Sequence, residues 1–269
     1  MSDDNPPADI TASHPTARHL RAAESPAVAP VDSRPLSATF PAEASLPLDT
    51  VSYGPDIAND RIFRLLGNLE GKRVLELGCG GGQAAIAMAK AGAKVISIDP
   101  SSSRIDRVRA LAEQEETKVE LRQGDLADLA GVRADTIDAV VSIYSLATVD
   151  DPDRVYRQVH RVLSRECPLV LSVPHPALAM VDPAATDPLK ITRSYWERAP
   201  RDWETPDIAG QDFPRTVSEI FTSLSRANFR VDTILEPEPD PTSAHSHQWA
   251  PVMAWVPSTL IVRARKEGI

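Results

Sequence analysis

From Val51 onward the chain alternates between short apolar runs and longer stretches whose apolar positions recur every three or four residues. The first pattern predicts buried strands, the second amphipathic helices packed on them. Strands are predicted at Arg73–Leu77, Val95–Ile98, Val119–Leu121, Ile137–Ile143, Leu169–Val173, Phe229–Leu235 and Thr259–Arg265. Helices are predicted at Asp56–Leu69, Gln83–Ala91 and Ser101–Glu115, with two more opening at Asp151-Pro152 and at the capping box of Thr216 and Glu219. Strands that alternate with helices build βαβ units, so the pattern describes an α/β fold around a largely parallel sheet of seven strands.

Two regions depart from this rhythm. Between about Ala177 and Phe213 the chain turns polar and carries Tyr195, Trp196 and Trp203, which predicts a lid-like insertion after the fifth strand. Those aromatics suit an apolar or planar ligand, or they anchor the insertion to the core. Residues 1–48 hold Pro6, Pro7, Pro15, Pro26, Pro30, Pro35, Pro41 and Pro47 without apolar periodicity, and read as a disordered or loosely docked tail before a domain at 49–269.

Composition narrows the partners. Lys+Arg total 29 against Asp+Glu 38, a formal charge of −9, and no dense basic cluster is present to hold a nucleic-acid backbone. No apolar run approaches the roughly 18 residues of a membrane span. The N-terminus lacks a basic and apolar leader, and two isolated cysteines suit a reducing compartment, so the expected location is cytoplasmic.

The chemistry is concentrated at Glu76-Leu77-Gly78-Cys79-Gly80-Gly81-Gly82, where the first strand runs into a helix. Glycines there let the backbone turn sharply and let a ligand lie against it near the helix N-terminus. A loop of this kind serves dinucleotide sites, phosphate sites or packing alone, but no Gly-Lys-Ser/Thr follows, which excludes a P-loop. Asp99 ends the second strand about 17 residues later, where a carboxylate can take both ribose hydroxyls. Asp125 follows the third strand, where it can accept from an adenine amine. Either aspartate can instead cap the segment after it, and Glu76 can be a structural carboxylate.

The run Val74 to Gly82, then Ile98-Asp99, Gly124-Asp125 and Ile137-Asp138-Ala139-Val140-Val141-Ser142, resembles the class I S-adenosylmethionine-dependent methyltransferases, and among them the type 11 small-molecule branch. The resemblance implies a Rossmann-like three-layer sandwich with a mostly parallel sheet, its last strand antiparallel, and S-adenosylmethionine as methyl donor. It implies that Gly78, Cys79 and Gly80 approach the methionine part of the donor, with Glu76 orienting the loop. Asp99 would hold the ribose and Asp125 the adenine, with Leu126 as an apolar wall. Ser142, Ile143 and Tyr144 would line the methionine and acceptor side, and Tyr53 would reach the donor carboxylate.

The fourth strand is followed by Ser142-Ile143-Tyr144-Ser145 and not by the Asn/Asp-Pro-Pro-aromatic tetrad of base and amide methylation, which favours a small-molecule acceptor. His175, between Pro174 and Pro176 at the end of the fifth strand, is a candidate general base and Tyr144 a second candidate catalytic group. His245 and His247 have half-metal-site spacing but lie among alternating prolines and carboxylates, which reads as a solvated loop; no metal is expected. Two other readings stand beside methyl transfer. One is an NAD-dependent oxidoreductase, disfavoured because Asp125 has no duty there; the other is a catalytically idle donor-binding domain.

Overall fold

The structure, a computed structural model, describes residues 46–268 apart from 183–186, 188–189, 205–208, 241–244 and 247. Residues 1–45, most of the expected tail, and His247 lie outside the described residues.

Strands β1 (Arg73–Leu77), β2 (Lys94–Asp99), β3 (Val119–Gln123), β4 (Ala139–Ile143), β5 (Pro168–Pro174), β8 (Phe229–Leu235) and β9 (Thr259–Lys266) form one sheet in the order β3-β2-β1-β4-β5-β9-β8. The first five are mutually parallel, and β9 runs antiparallel to both β5 and β8. Strand order reverses between β1 and β4, and a crevice opens outside the carboxyl ends of strands at such a switch point. Both the glycine loop after β1 and Ile143 at the end of β4 therefore arrive at one place.

Alternation along the strands splits the core in two. Leu75 and Leu77 of β1 join a cluster that contains Val155, Val159 and Val162 of α4 (Pro152–Val162) and Ile220 and Leu224 of α5 (Val217–Arg226). Val74, on the opposite face with Glu76, joins Ala85 and Met88 of α2 (Gln83–Lys90) and Ile105 and Val108 of α3 (Ser102–Gln114). A carboxylate at position 76 is thus built into an apolar layer. Local signals set the helix ends as predicted. Ser101 and Asp151 cap α3 and α4 through Arg104 N–H and Arg154 N–H, Pro152 takes the first turn of α4, and Thr216 and Glu219 form the capping box of α5.

The predicted helix at Asp56–Leu69 shrinks to one turn, α1 (Asp60–Phe63). Arg64 adopts a left-handed conformation, φ 52°, and the Asp60 carboxylate accepts from Leu65 N–H and Tyr53 hydroxyl. Leu65, Leu66 and Leu69 are buried all the same, so their helix-like spacing fits a loop pressed onto the core. The insertion contains a hairpin, β6 (Arg201–Glu204) with β7 (Ala209–Asp212), which periodicity did not announce. Its anchor is Trp203, buried over Gly210 with the indole N–H donating to Asp212 Oδ1 at 2.9 Å. Among the described residues no helix is long and apolar enough to cross a membrane.

Candidate active site

Backbone conformation shapes the loop after β1. Gly78, Gly80 and Gly82 have φ of 83°, 49° and 92°, a region where side chains are strained. Gly78 also has no room for one: a Cβ there would lie 1.9 Å from Ser145 Oγ. Its N–H donates to Ile98 O at 2.7 Å, tying the loop to β2. Asp99 holds the next residue, accepting from Cys79 N–H at 3.0 Å, while its other oxygen accepts from Ser101 N–H at 2.8 Å at the start of α3. Arg104 stands 3.8 Å from the same carboxylate, which is fully buried. Asp99 therefore holds the residue that caps α3 with one oxygen and braces the glycine loop with the other, while the cap itself is Ser101.

Against this loop lies a small cavity of about 10 Å³, room for roughly one water molecule. Glu76, Gly78, Cys79, Gln83 and Ala84 form its floor, Ile143 comes from β4, and Leu46, Pro47 and Ser52 close it from the N-terminal side. Glu76 is 2% exposed and accepts a hydrogen bond from Ser97 hydroxyl. Burial pushes its carboxyl up to about 7, opposed by the Ser97 hydrogen bond and reinforced by the charge of Asp99. Burial, followed by the Asp99 and Glu76 charges, pushes the Cys79 thiol far up, which removes it as a nucleophile.

Several predicted residues lie elsewhere. Tyr53 is fully buried with its hydroxyl on Asp60 Oδ1 at 2.9 Å, so it braces the turn at α1, away from the cavity lining. Ser142 is buried and donates to Leu77 O at 3.2 Å, joining β4 to β1 inside the sheet. Leu126 is packed in the core. Asp125 sits at the surface beyond β3, its Oδ1 accepting from Ala127 N–H at 2.8 Å and its Oδ2 lying 3.7 Å from Arg154.

Tyr144 is held in the left-handed region at φ 62°, with its phenol 2.6 Å from Thr259 Oγ1 and pushed up by burial. That removes it from proton transfer. His175 is likewise committed: Nδ1 accepts from Ala177 N–H at 3.0 Å, which places the proton on Nε2, 2.8 Å from Glu236 Oε1. Burial holds its pKa below the usual histidine value, against the pull of Glu236. With one nitrogen accepting and the other donating, the ring has no free lone pair for a general base. Among the described residues no group of histidine, cysteine and carboxylate side chains could hold a metal ion.

Leu46, Pro47, Ser52, Gln83 and Ala84 are additional lining residues. Gln83 and Ala84 directly follow the glycines and were recoverable from position alone. Leu46 and Pro47 belong to the proline-rich stretch, where no local signal marks them.

A solved structure from Listeria monocytogenes superposes with a TM-score of 0.64, covering 77% of this chain and 97% of that one at 24% identity, which shows the shared fold. An S-adenosylmethionine-dependent methyltransferase from Mesorhizobium loti is 26% identical, with a TM-score of 0.60 over 77% of this chain and 96% of that one. Residues 75–171 match the family model described as a methyltransferase domain. Ubiquinone biosynthesis O-methyltransferases of Alkalilimnicola ehrlichii and Bordetella avium are each 40% identical, over 35% and 36% of this chain. The matches span 38% and 40% of those relatives' own lengths. The glycine loop lies within the part of the chain that matches the methyltransferase domain model. The chain is similar over residues 75–171 to methyltransferase domains, and its fold is shared with solved S-adenosylmethionine-dependent methyltransferases.

Proposed function

We propose that the protein transfers a methyl group from S-adenosylmethionine to a small-molecule acceptor. The observation that carries this reading is the glycine loop at the β1–β4 switch point, pinned between Asp99 and Ser145 with a buried carboxylate, Glu76, under it. When bound, the donor supplies an electrophilic methyl on a sulfonium; the chain's task is to hold it in line with a nucleophile and keep water away. Cβ-free Gly78 and Gly80 allow the methionine part to approach the backbone, with Glu76 beneath as a counter-charge. A carboxylate offers about four lone-pair sites, so Asp99 can receive ribose hydroxyls beyond its two N–H contacts. Asp125, exposed past β3, would meet the adenine edge, and Ile143 of the cavity would form the wall toward the acceptor.

The present cavity is far smaller than a nucleoside, so donor entry displaces the strap Leu46–Ser52 from the glycine loop. The two predicted bases, His175 and Tyr144, are held by Glu236 and Thr259, which favours a nucleophile that carries its own lone pair. We assign the methyltransferase domain to residues 49–269 with Leu46 and Pro47 added, and the hairpin β6–β7 to the acceptor side.

Calorimetry on the full chain with S-adenosylmethionine, S-adenosylhomocysteine and NAD tests the reading. Binding of both sulfur ligands at micromolar concentration and none of NAD is expected. Failure of both sulfur ligands removes the proposal, and tight NAD binding replaces it with the oxidoreductase.

A further inference from the structure

Two arginines of the insertion, Arg193 and Arg201, feel each other's charge. Arg193 N–H donates to Met180 O at 3.1 Å, in the 3-10 turn Leu178–Met180 that follows the end of β5. Arg201 stands opposite Asp212 in the hairpin, and the next residue, Phe213, donates its N–H to Ala147 O at 2.9 Å, in the turn after β4. Strands β4 and β5 are parallel neighbours, so the segments that carry the two arginines are tied to the turns that follow the carboxyl ends of these strands, and Ile143 of the cavity ends β4.

Arg201 shares the inward face of its strand with Trp203, and its Nε is buried without a hydrogen-bond partner among the described residues. The surrounding charges are otherwise paired. Arg193 lies 3.7 Å from Glu197, Arg198 donates to Glu219 at 2.8 Å, and Asp212 receives the Trp203 indole. Burial, followed by the charge of Arg193, weakens the hold of Arg201 on its proton, against the opposite pull of Glu197 and Asp212. A half-buried guanidinium beside a like charge is costly until an anion satisfies it, and a planar fork matches an oxyanion with two acceptor oxygens.

We propose that Arg201, assisted by Arg193, binds an oxyanion carried by the methyl acceptor, a carboxylate or a phosphate. The acceptor is thereby an anionic small molecule, oriented with its charged group under the hairpin and its nucleophile toward Ile143. This rests on the methyltransferase reading for the acceptor's role, while the anion site stands on the arginine geometry itself.

Calorimetric titration of the full chain with benzoate, phenyl phosphate and the uncharged isostere benzamide, with and without S-adenosylhomocysteine, tests it. At least one anion binds about tenfold tighter than benzamide, and Arg201→Gln brings the ratio below about threefold. Arg201→Lys keeps charge without the fork and falls between. The preference between benzoate and phenyl phosphate tells which oxyanion the site takes. Equal binding of benzamide, no binding of either anion at millimolar concentration, or a preference that survives Arg201→Gln overturns the proposal. S-adenosylhomocysteine binding to the unaltered chain reports separately on the donor site. Unchanged thermal midpoints establish that the variants are folded.

Discussion

At the carboxyl ends of β1 and β2 the chain is shaped by its own backbone: glycines at positive φ, N–H groups aimed at Asp99, and a buried carboxylate below. Over the ends of β4 and β5 it is shaped by side chains from distant segments: Trp203 on Asp212, Tyr195 hydroxyl receiving Val217 N–H, and Arg215 donating to the carbonyls of Val149 and Asp150. The glycine-loop side rests on a backbone conformation and a buried charge. The insertion side rests on separate side-chain anchors. On the proposed function, the first side meets the donor and the second the acceptor.

The comparison breaks first at Gly78. Gly78→Ala meets both an unfavourable φ and Ser145 Oγ, and is expected to destabilise the fold by about 3 kcal/mol and abolish detectable donor binding. Ser145→Gly in the same chain should recover part of the stability and little of the affinity, as read by denaturant unfolding and calorimetry. Full recovery of both would mean that the clash alone matters and the conformation does not.

Glu76 provides a pH signature on the donor side alone. Its folded pKa, about 7, is raised above the ordinary 4.5, so between these values the folded protein binds the proton more tightly than the unfolded chain. The resulting stability is fully present below pH 4.5 and is lost as pH rises through 7, a change of about 3 kcal/mol. Unfolding measured across this range should show the fall in the unaltered protein and not in Glu76→Gln. A flat profile in both would place Glu76 in a solvated setting.

Asp99→Asn keeps an acceptor oxygen but removes the charge facing Arg104, and donor affinity should fall by at least about 1 kcal/mol. Unchanged affinity by calorimetry would confine Asp99 to bracing the backbone of Cys79 and Ser101. The smallest effect belongs to the other region. Trp203→Phe loses the indole hydrogen bond to Asp212 and should cost about 1 kcal/mol of stability while leaving S-adenosylhomocysteine affinity unchanged. A matching loss of donor affinity would show that the hairpin and the donor loop act as one unit.

The sequence by itself determined the strands, the order of helices between them, the helix caps and the glycine loop. Each rests on period, on a capping side chain or on the absence of Cβ, and all of these act within a few neighbouring residues. Family likeness extended this to a donor and to the strand ends that face it. Tertiary structure decided what those residues touch. Tyr53, Tyr144 and His175 stand at positions that look available in the sequence, yet Asp60, Thr259 and Glu236 take their polar atoms. The separations in the chain, from 7 residues for Tyr53 to 115 for Tyr144, leave no local pattern to read. Leu46 and Pro47 enter the site, and Arg201 is left without a partner for its buried Nε among the described residues, for the same reason. Burial and pairing are set by whatever the fold brings alongside, and only the folded chain fixes that company.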